Sequence, residues 1–540
     1  MVSLSSGCRH GGDPANEAAW AVLLDVTGLF VATSALTLHQ GGIAVGGAAP
    51  SVSMPCWRCA AGPDEALASF AAAWMRHHRH AFGPGGLSRE ARLWTREGPG
   101  SVRLEHDPIS LLVAGLRLLD GAAPMDEHGR ARQEDDALYS KDLASLPMAN
   151  LLAEGLLEAA DAALRESSAF ALAVEPWPPG VPWALSLSHD IDHVRKWRRE
   201  NRGDRVRDVK RSLVRRRGVL RSTRNLLTSV FRGFGRPDPF QNVLDMARRE
   251  RERGLRATYF FGIAEPSSSP YEITYTPGEL RAAVDFASLQ RMGHEVGLHG
   301  SYASADSEDG LTRERTTLRT ISGAEVRGTR QHYLRFSWGR VHPWQVRAGF
   351  EYDSSWGYPQ TPGFRGGLGT PFLFGAPHDP ASWRVELPMA VMDGSTLRDL
   401  FELDPQGAKK ILEPMVEASR SVRGLLVVNW HNTAFDREVP RPYAETFDWL
   451  VGAAKRHGAA MMTLEEAARW WTLRSRVRVE GLPGQARVSL PKGLPNVGLR
   501  VLGKPPAEPP AAVTVSADSS GHTVWIATPG TNRLDVARPR

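Results

Sequence analysis

Four segments of the chain place titratable side chains directly after a short apolar run. Aspartate and histidine are the residue types that hold a divalent metal or move protons during hydrolysis. Each segment alone has a structural alternative, because an acid can cap a helix or pair with arginine and a lone histidine is often structural. Four such segments in one chain favour a functional site. They are Ser188-His189-Asp190-Ile191-Asp192-His193, Gly293 to Tyr302 with His299, Arg330-Gln331-His332-Tyr333, and Val427 to Asn432 with His431.

The first segment carries two carboxylates, Asp190 and Asp192, after the apolar run Trp183–Leu187. Residues two apart in an extended chain point to the same side. Both acids therefore face one way, while His189 and His193 face the other. Since α/β barrels hold their active sites at the carboxyl ends of parallel strands, we predict that the two acids belong to the site and the two histidines do not.

The elements that must position these segments alternate strand-like apolar runs with helical patterns, which is typical of βα units and a mostly parallel sheet or barrel. The predicted fold class is therefore α/β. Thr463-Leu464-Glu465-Glu466 has the capping-box pattern of a helix start. The predicted strands are Trp183–Leu187, Ala257–Ile263, Glu295–Leu298, Val326–Thr329 and Leu425–Trp430, and the predicted helices include Pro277–Arg291 and Pro440–Arg456.

In their order, these segments resemble the motifs of the polysaccharide deacetylase family, also called the NodB-homology or carbohydrate esterase 4 fold. That family has a strand ending in T-F-D-D, then G-H-E-[IV]-G with H-[ST]-x-x-H, R-x-P-Y, an aspartate-bearing strand, and L-x-H. Here Gly293-His294-Glu295-Val296-Gly297-Leu298-His299 matches the second motif, Arg330 and Tyr333 match the third, and His431 matches the last. The matching segments span 183–471. The resemblance implies a distorted (β/α) barrel of the NodB type and a metal-dependent hydrolase.

The resemblance implies a divalent metal cofactor, with zinc expected. Two positions depart from the family pattern: Ile191 stands where the metal-binding aspartate falls, and Ala303 stands where the second histidine falls. We expect Asp192 to replace the aspartate and to bind metal together with His299. A catalytic zinc commonly keeps three protein ligands, so we expect His332 to be the third, with a substrate contact or a structural role as the alternatives.

The resemblance also implies which groups transfer protons. Asp190 corresponds to the general base, with Arg330 orienting it and keeping it ionised. His431 corresponds to the acid that protonates the departing amine. Asp393 resembles the family's supporting aspartate beside that histidine, and Asp353 is the competing candidate.

The predicted reaction removes an N-acyl group, expected to be acetyl, from an amino sugar in a polysaccharide or glycan precursor. Tyr333, Trp356 and Trp430 are candidates for stacking on the sugar, although buried aromatic residues more often belong to a core. Two alternatives remain: a carbohydrate-binding relative that retains no metal, and a hydrolase of a non-sugar amide on the same barrel. Asp107-Pro108-Ile109-Ser110 and Asp126-Glu127-His128-Gly129-Arg130 resemble the accessory region of a divergent, biosynthetic branch of these deacetylases.

A chain of 540 residues is too long for one ordinary core. We predict an N-terminal α+β accessory domain at 1–175, a NodB-like barrel at 176–475 with a basic insertion at 195–250, and a small β-rich domain at 476–540. In the first range, short apolar runs such as Ala21–Leu24 precede helical patterns at Asp107–Leu119 and Met148–Leu164. After Val477, short alternating runs separated by proline and glycine predict strands.

Composition and charge limit the class of partner. With 42% hydrophobic and 23% charged residues the chain is typical of a globular protein, and the start lacks a signal-peptide pattern, so we expect a cytoplasmic location. The net charge of +6 is concentrated at 195–224, which holds fourteen Lys/Arg and three acids. We expect this segment to form a solvated surface or to contact a membrane surface or an anionic polymer, and no nucleic-acid partner is expected.

Cys56 and Cys59 are expected to be free thiols, with a zinc site shared with Cys8 and His10 as the alternative.

Overall fold

The structure of the protein is a computed structural model. It describes residues 124–196 and 238–505, except for 141–142, 167–169, 266–268, 376–379, 401–403, 437–441 and 483–484. Outside those ranges it describes 3–6, 14–27, 29–30, 37–40, 51–54, 82–83, 86–87, 94–98, 101–104, 509–510, 513–518, 521–527 and 534–537. The three cysteines, the predicted helix at Asp107–Leu119, the 107–110 segment and most of the basic segment lie outside the described residues.

The centre of the fold is a curled sheet of ten strands with a half-barrel shape. Across the sheet the order is β6-β7-β5-β4-β3-β2-β1-β9-β8, and β10 pairs with β1. All pairs are parallel except β6 with β7. This arrangement confirms the predicted mixed α/β architecture. In chain order the strands are β1 Ala184–Ile191, β2 Ala257–Gly262, β3 Glu295–Gly300, β4 Gly328–Gln331, β5 Tyr352–Asp353, β6 Phe372–Phe374, β7 Arg384–Glu386, β8 Met389–Met392, β9 Leu425–Asn429 and β10 Ala460–Met461.

Strand β1 divides its side chains between two environments. Leu185, Leu187 and Ile191 pack into the main core between the sheet and its helices. Ser188 and Asp190 face the other way and bind a buried arginine of β4. Because the strand lies between β2 and β9, all eight of its residues are buried. The strand ends at Ile191, four residues after the predicted end at Leu187. The alternation of its side chains continues over these four residues, as the sequence predicts for Asp190.

The α-helices surround this sheet and the regions next to it. None of the described helices combines the length and the apolar character that a membrane crossing requires. The apolar run Ala21–Leu24 lies inside the first helix, and its Val22 and Leu23 belong to a core shared with the helix Met148–Arg165. The helices are α1 Pro14–Thr27, α2 Ala137–Ser140, α3 Met148–Arg165, α4 Val243–Glu252, α5 Pro277–Ala283, α6 Phe286–Arg291, α7 Glu308–Ser322, α8 Val341–Arg347, α9 Pro405–Ser421, α10 Pro442–Arg456 and α11 Leu464–Arg474.

Two helix predictions have different outcomes. The predicted capping box is present at the start of α11, where Thr463 accepts a hydrogen bond from the N–H of Glu466 and the Glu466 side chain accepts one from the N–H of Thr463. The single helix predicted over Pro277–Arg291 is wrong, because the structure has two helices, α5 and α6. The break has a local cause: Asp285 accepts the N–H of Ser288 and starts a new helix in the middle of the predicted one.

Strands from the first and last parts of the chain form one sheet. Its order is Leu29–Phe30, Phe170–Val174, Val497–Gly503, Thr523–Ala527 and Val513–Ala517. The sheet joins strands from the predicted N-terminal and C-terminal domains. The boundaries of these two domains stay predictions. The other strands are Ser3–Ser6, Thr37–Gln40, Ser51–Met54, Ser101–Leu104 and Trp94–Gly98 in one sheet, Arg478–Leu482, Gln485–Ser489 and Leu534–Ala537 in another, and the pair Phe82–Gly83 with Gly86–Leu87.

The close packing of β4 against β5 gives a test of the fold. A Cβ atom added at Gly328 would overlap the ring of Tyr352, which is buried and whose hydroxyl donates to Glu295. Because that hydrogen bond holds the ring, we expect Gly328→Ala to lower the free energy of unfolding by about 1–3 kcal/mol, measured by urea denaturation. Gly278→Ala is the matched control, since its new methyl group meets open space. Equal losses in both variants would contradict the packing argument.

Candidate active site

The predicted site residues come from the ends of five parallel strands. Parallel strands present their carboxyl ends at one edge of a sheet, where α/β folds place their sites. β1, β3, β4, β8 and β9 each deliver at least one side chain to this edge. The structure thereby brings together all seven predicted catalytic and metal-binding residues: Asp190, Asp192, His299, Arg330, His332, Asp393 and His431.

His189 faces away from the site, as the strand alternation predicts. Its Nδ1 donates to the carbonyl of Trp430 at 2.6 Å, and its Nε2 lies 2.7 Å from Glu250 Oε1 on α4. Tyr259 donates its hydroxyl to the other oxygen of Glu250 at 2.8 Å. This buried cluster joins β1 and β2 to α4 and the end of β9 on the helix side of the sheet.

Asp190 is held by two donors inside the half-barrel. Arg330 Nη1 donates to its Oδ1 at 2.9 Å, and Asn429 Nδ2 donates to its Oδ2 at 2.8 Å. Burial alone would raise the pKa of Asp190, but the charges of His299, Arg330 and His431 lower it below its ordinary value. Asp190 is therefore an ionised carboxylate in a fixed orientation.

Asn429 is a site residue that the sequence analysis missed. It occupies the last position of β9, and its Oδ1 accepts the N–H of Asp190 at 3.2 Å. Register places it beside Ser188 on β1. Its position two residues before His431, at the end of an apolar strand, was the available signal. Its contact with a residue 239 positions away was not readable from the sequence.

Three ligand atoms converge beside Asp190. Asp192 Oδ1 lies 3.3 Å from His299 Nε2 and 3.7 Å from His332 Nδ1, and the two nitrogen atoms lie 2.9 Å apart. In a tetrahedral zinc site with bonds of 2.0–2.1 Å, ligand atoms are about 3.3 Å from one another. Asp192 Oδ1 is buried, and within the described part of the chain it has no hydrogen-bond partner. A buried carboxylate oxygen in this state fits a cation bound by the three atoms.

Each of the two imidazoles directs one ring nitrogen towards Asp192. His299 Nδ1 lies 2.9 Å from the carbonyl oxygen of Arg330. A carbonyl oxygen can only accept, so Nδ1 donates to it and Nε2 is the ring nitrogen that faces Asp192 and His332. Burial alone would lower the pKa of His299, but the carboxylates of Asp190 and Asp192 raise it above its ordinary value. Metal binding at Nε2 would release the proton of that nitrogen. Burial lowers the pKa of His332 to about 4, so this imidazole is neutral at neutral pH. A ligand set of one carboxylate and two imidazoles suits zinc and other divalent transition metals.

His431 lies near the carboxylate oxygen of Asp192 that His299 and His332 do not face. Its Nε2 is 3.6 Å from Asp192 Oδ2, and its Nδ1 is 2.6 Å from Asp393 Oδ1. Burial alone would lower the pKa of His431, but the neighbouring carboxylate of Asp393 raises it to about 10. Asp353, the competing candidate, instead accepts hydrogen bonds from Gln345 and from Ser355, two residues further along the chain. Asp393 is therefore the carboxylate partner of His431.

The three predicted sugar-stacking residues differ in their accessibility. Trp356 and Trp430 are fully buried: the first donates to the carbonyl of Arg365, and the second packs against Phe447 in the main core. Neither indole offers a face to a sugar, so the stacking role predicted for these two residues does not fit. Tyr333 is half-buried, and its ring centroid lies 4.8 Å from that of His332.

Comparisons with known proteins find likeness in structure. No protein-family model matches the chain, and no curated protein matches it. Two similar solved structures are named as polysaccharide deacetylases, from Mycobacterium smegmatis (17% identity, TM-score 0.37) and Pseudomonas aeruginosa PAO1 (14% identity, TM-score 0.35). For both, the match covers 55% of this chain and 92% of the other. A family 4 acetyl xylan esterase from Clostridium thermocellum, in complex with cobalt, matches over 53% of this chain and 89% of its own, with 13% identity and a TM-score of 0.24.

Because three ligand atoms converge in this site, the removal of one of them should weaken metal binding. His332 is the ligand to remove. We expect His332→Ala to reduce bound zinc from about one equivalent to well below half, because two ligands hold zinc weakly. Inductively coupled plasma mass spectrometry of dialysed protein measures this. His457→Ala is the matched control, because that half-exposed histidine lies on a surface helix end and pairs with Glu417. Full zinc content in His332→Ala would remove this residue from the ligand set.

The contact between His431 and Asp393 predicts the charge of the imidazole. We expect Asp393→Asn to lower the pKa of His431 from about 10 towards its ordinary value, because the main cause of the elevation is lost. The imidazolium would then be lost as pH rises through the neutral range. An NMR titration of the His431 ring in metal-free protein measures this, and Asp353→Asn is the control. A pKa that stays near 10 in Asp393→Asn would contradict the assignment.

Proposed function

We propose that this chain is a zinc-dependent hydrolase that removes an N-acetyl group from an amino sugar of a polysaccharide or glycan precursor. The observation that carries the proposal is the convergence of Asp192, His299 and His332 with a proton acceptor and a proton donor on either side. Asp190 Oδ2 lies 3.8 Å from His299 Nε2, and His431 Nε2 lies 3.6 Å from Asp192 Oδ2. Amide hydrolysis needs these groups within reach of one reacting carbon.

Asp192, His299 and His332 would hold the metal in this proposal. A bound divalent metal supplies polarisation of the acyl carbonyl and a lower pKa for water. Asp190 accepts the proton of the attacking water, for which its ionised state is required. Arg330 and Asn429 each occupy one carboxylate oxygen at 2.8–2.9 Å, and each oxygen has a second lone pair that can accept the proton.

His431 donates the proton that the departing amine needs. An amine leaves as a neutral molecule only if it is protonated when the carbon–nitrogen bond breaks. Asp393 keeps the imidazole in its charged form and fixes its orientation through the 2.6 Å contact with Nδ1. The nitrogen that faces Asp192 is then the donor.

The carbohydrate part of the proposal rests on the ordered sequence motifs and on the surroundings of His332. The ring of Tyr333 contacts His332 and is partly open to solvent. Tyrosine combines an apolar ring face with a polar hydroxyl, which suits the mixed apolar and polar surface of a sugar. A sugar amide is therefore favoured over an amide without a sugar.

Two substitutions distinguish the role of Asp190 as the base from the role of His299 as a metal ligand. We expect Asp190→Asn to lower kcat for acetate release from N-acetylglucosamine oligomers by at least about 10²-fold while zinc stays bound. We expect His299→Ala to lose both activity and zinc. Asp448→Asn, at an exposed position on α10, is the control and should keep both. Activity close to wild type in Asp190→Asn would exclude this residue as the base.

The same measurements separate the alternatives. Protein without zinc, cobalt or nickel near one equivalent would contradict the enzyme proposal and favour a carbohydrate-binding relative. Metal-loaded protein that cleaves simple amides but releases no acetate from sugar oligomers would favour a hydrolase of a non-sugar amide.

A further inference from the structure

A tight turn from the N-terminal region lies at the mouth of the half-barrel. It comprises residues 125–131 and is closed by a bridge between Met125 and Ala131. Asp126 accepts hydrogen bonds from the N–H groups of His128 and Arg130, both at 2.9 Å, and from Arg130 Nε at 2.7 Å. Gly129 adopts a positive φ of 70°, which suits glycine in such a turn. We call residues 125–131 the rim turn.

Two arginines fasten the rim turn to the barrel. Arg130 Nη1 donates to the carbonyl of Tyr333 at 2.9 Å, and Arg335 Nε donates to the carbonyl of His128 at 2.7 Å. Arg335 is itself buried and binds Asp306 at 2.7 Å. Both contacts reach the segment that directly follows the proposed ligand His332.

That segment has a strained backbone. Tyr333 and Leu334 have φ values of 59° and 56°, in the left-handed region that such side chains rarely adopt. A conformation of this kind persists only where surrounding contacts hold it. The hydrogen bond from Arg130 to the Tyr333 carbonyl is one of them. The result is that the Tyr333 ring is held beside His332.

Four rings meet between the rim turn and the barrel. The ring centroid of His128 lies 4.8 Å from that of Tyr271, 5.9 Å from that of Tyr302 and 4.6 Å from that of Tyr333. His128 Nδ1 is also 3.2 Å from the Tyr302 hydroxyl. We call these four residues the aromatic rim. Through Tyr333 and His332 it continues into the proposed metal site.

The aromatic rim reaches the surface at Tyr271, whereas its His128 is buried. Tyr271 is 37% exposed, and Met125 at the start of the rim turn is 40% exposed. They are two of the three exposed large apolar residues in the described part of the chain, the third being Val515. The site itself is open to solvent at His431 and Asp192, whose side chains are 21% and 18% exposed. Exposed apolar groups beside a polar opening are typical of a ligand-binding surface.

We propose that the aromatic rim is a sugar-binding subsite, which binds the residue next to the amino sugar that loses its acetyl group. This inference rests on the proposed function and adds to it that the substrate is a glycan of at least two sugar units. Aromatic faces bind the apolar C–H faces of a pyranose, while the Tyr302 hydroxyl and the exposed carboxylate of Glu127 can bind its hydroxyl groups. The N-terminal region thereby contributes to substrate selection.

Kinetics of two Tyr271 variants test the subsite. The probes are the β-1,4-linked tetramer of N-acetylglucosamine and the N-acetylglucosamine monosaccharide, with zinc-loaded full-length protein. We expect the wild type to prefer the tetramer by at least about tenfold in kcat/KM. We expect Tyr271→Ala to lose most of this preference through a higher KM, and Tyr271→Phe to restore it, since only the ring is required. Equal preference in the wild type and Tyr271→Ala would overturn the inference.

A binding measurement separates this inference from the proposed function. Isothermal titration calorimetry with the tetramer uses Asp190→Asn protein, with and without Tyr271→Ala. We expect the second change to raise Kd by about tenfold. Unchanged Kd, or no binding of the tetramer to Asp190→Asn, would overturn the subsite. A tenfold weaker Kd together with no acetate release by the wild type would contradict the proposed function and leave the subsite supported.

Discussion

The site depends on one buried charge, the guanidinium of Arg330. Arg330 lies on β4, crosses over the ring of Phe260 at 4.6 Å, and reaches Asp190 on β1. A buried charge is tolerated only when its donors are satisfied, and Asp190, Ser188 and Ser354 accept from it at 2.8–3.0 Å. The same residue also fixes His299, whose Nδ1 donates to the Arg330 carbonyl. One residue thus sets the orientation of both the proposed base and a proposed ligand.

The need of Arg330 for buried acceptors explains why the two faces of the half-barrel sheet carry different side chains. Side chains that point to the helices form a continuous apolar core, with the His189–Glu250 pair as a fully hydrogen-bonded exception. Towards the carboxyl end of β1 the inward side chains are polar: Ser188 and Asp190 both bind Arg330 on β4, and Asp190 also binds Asn429 on β9. Burial on both faces of a parallel strand usually requires apolar residues throughout. The inward polar residues are therefore expected at a functional site rather than in a scaffold.

Much of the fold and of the site could be predicted because the signals are local. Strand ends with titratable residues, the two-residue alternation from Asp190 to Asp192, and the capping box before α11 each depend on a few neighbouring positions. What the sequence could not supply are contacts over long separations. Asn429 binds Asp190 across 239 positions, and His128 meets Tyr302 across 174. The burial of Trp356 likewise depends on a core assembled from distant segments.

The position of the proposed third ligand has a structural consequence for the turn after β3. In the proposed site the third ligand, His332, follows β4, and the turn after β3 carries Ala303, whose side chain cannot bind a metal. The N–H groups of Tyr302 and Ala303 instead donate to Glu272 at 3.0 and 3.1 Å. This arrangement fixes the turn and directs the Tyr302 ring to His128. Because the proposed third ligand comes from the end of β4, the turn after β3 can contribute Tyr302 to the aromatic rim, which the N-terminal rim turn completes.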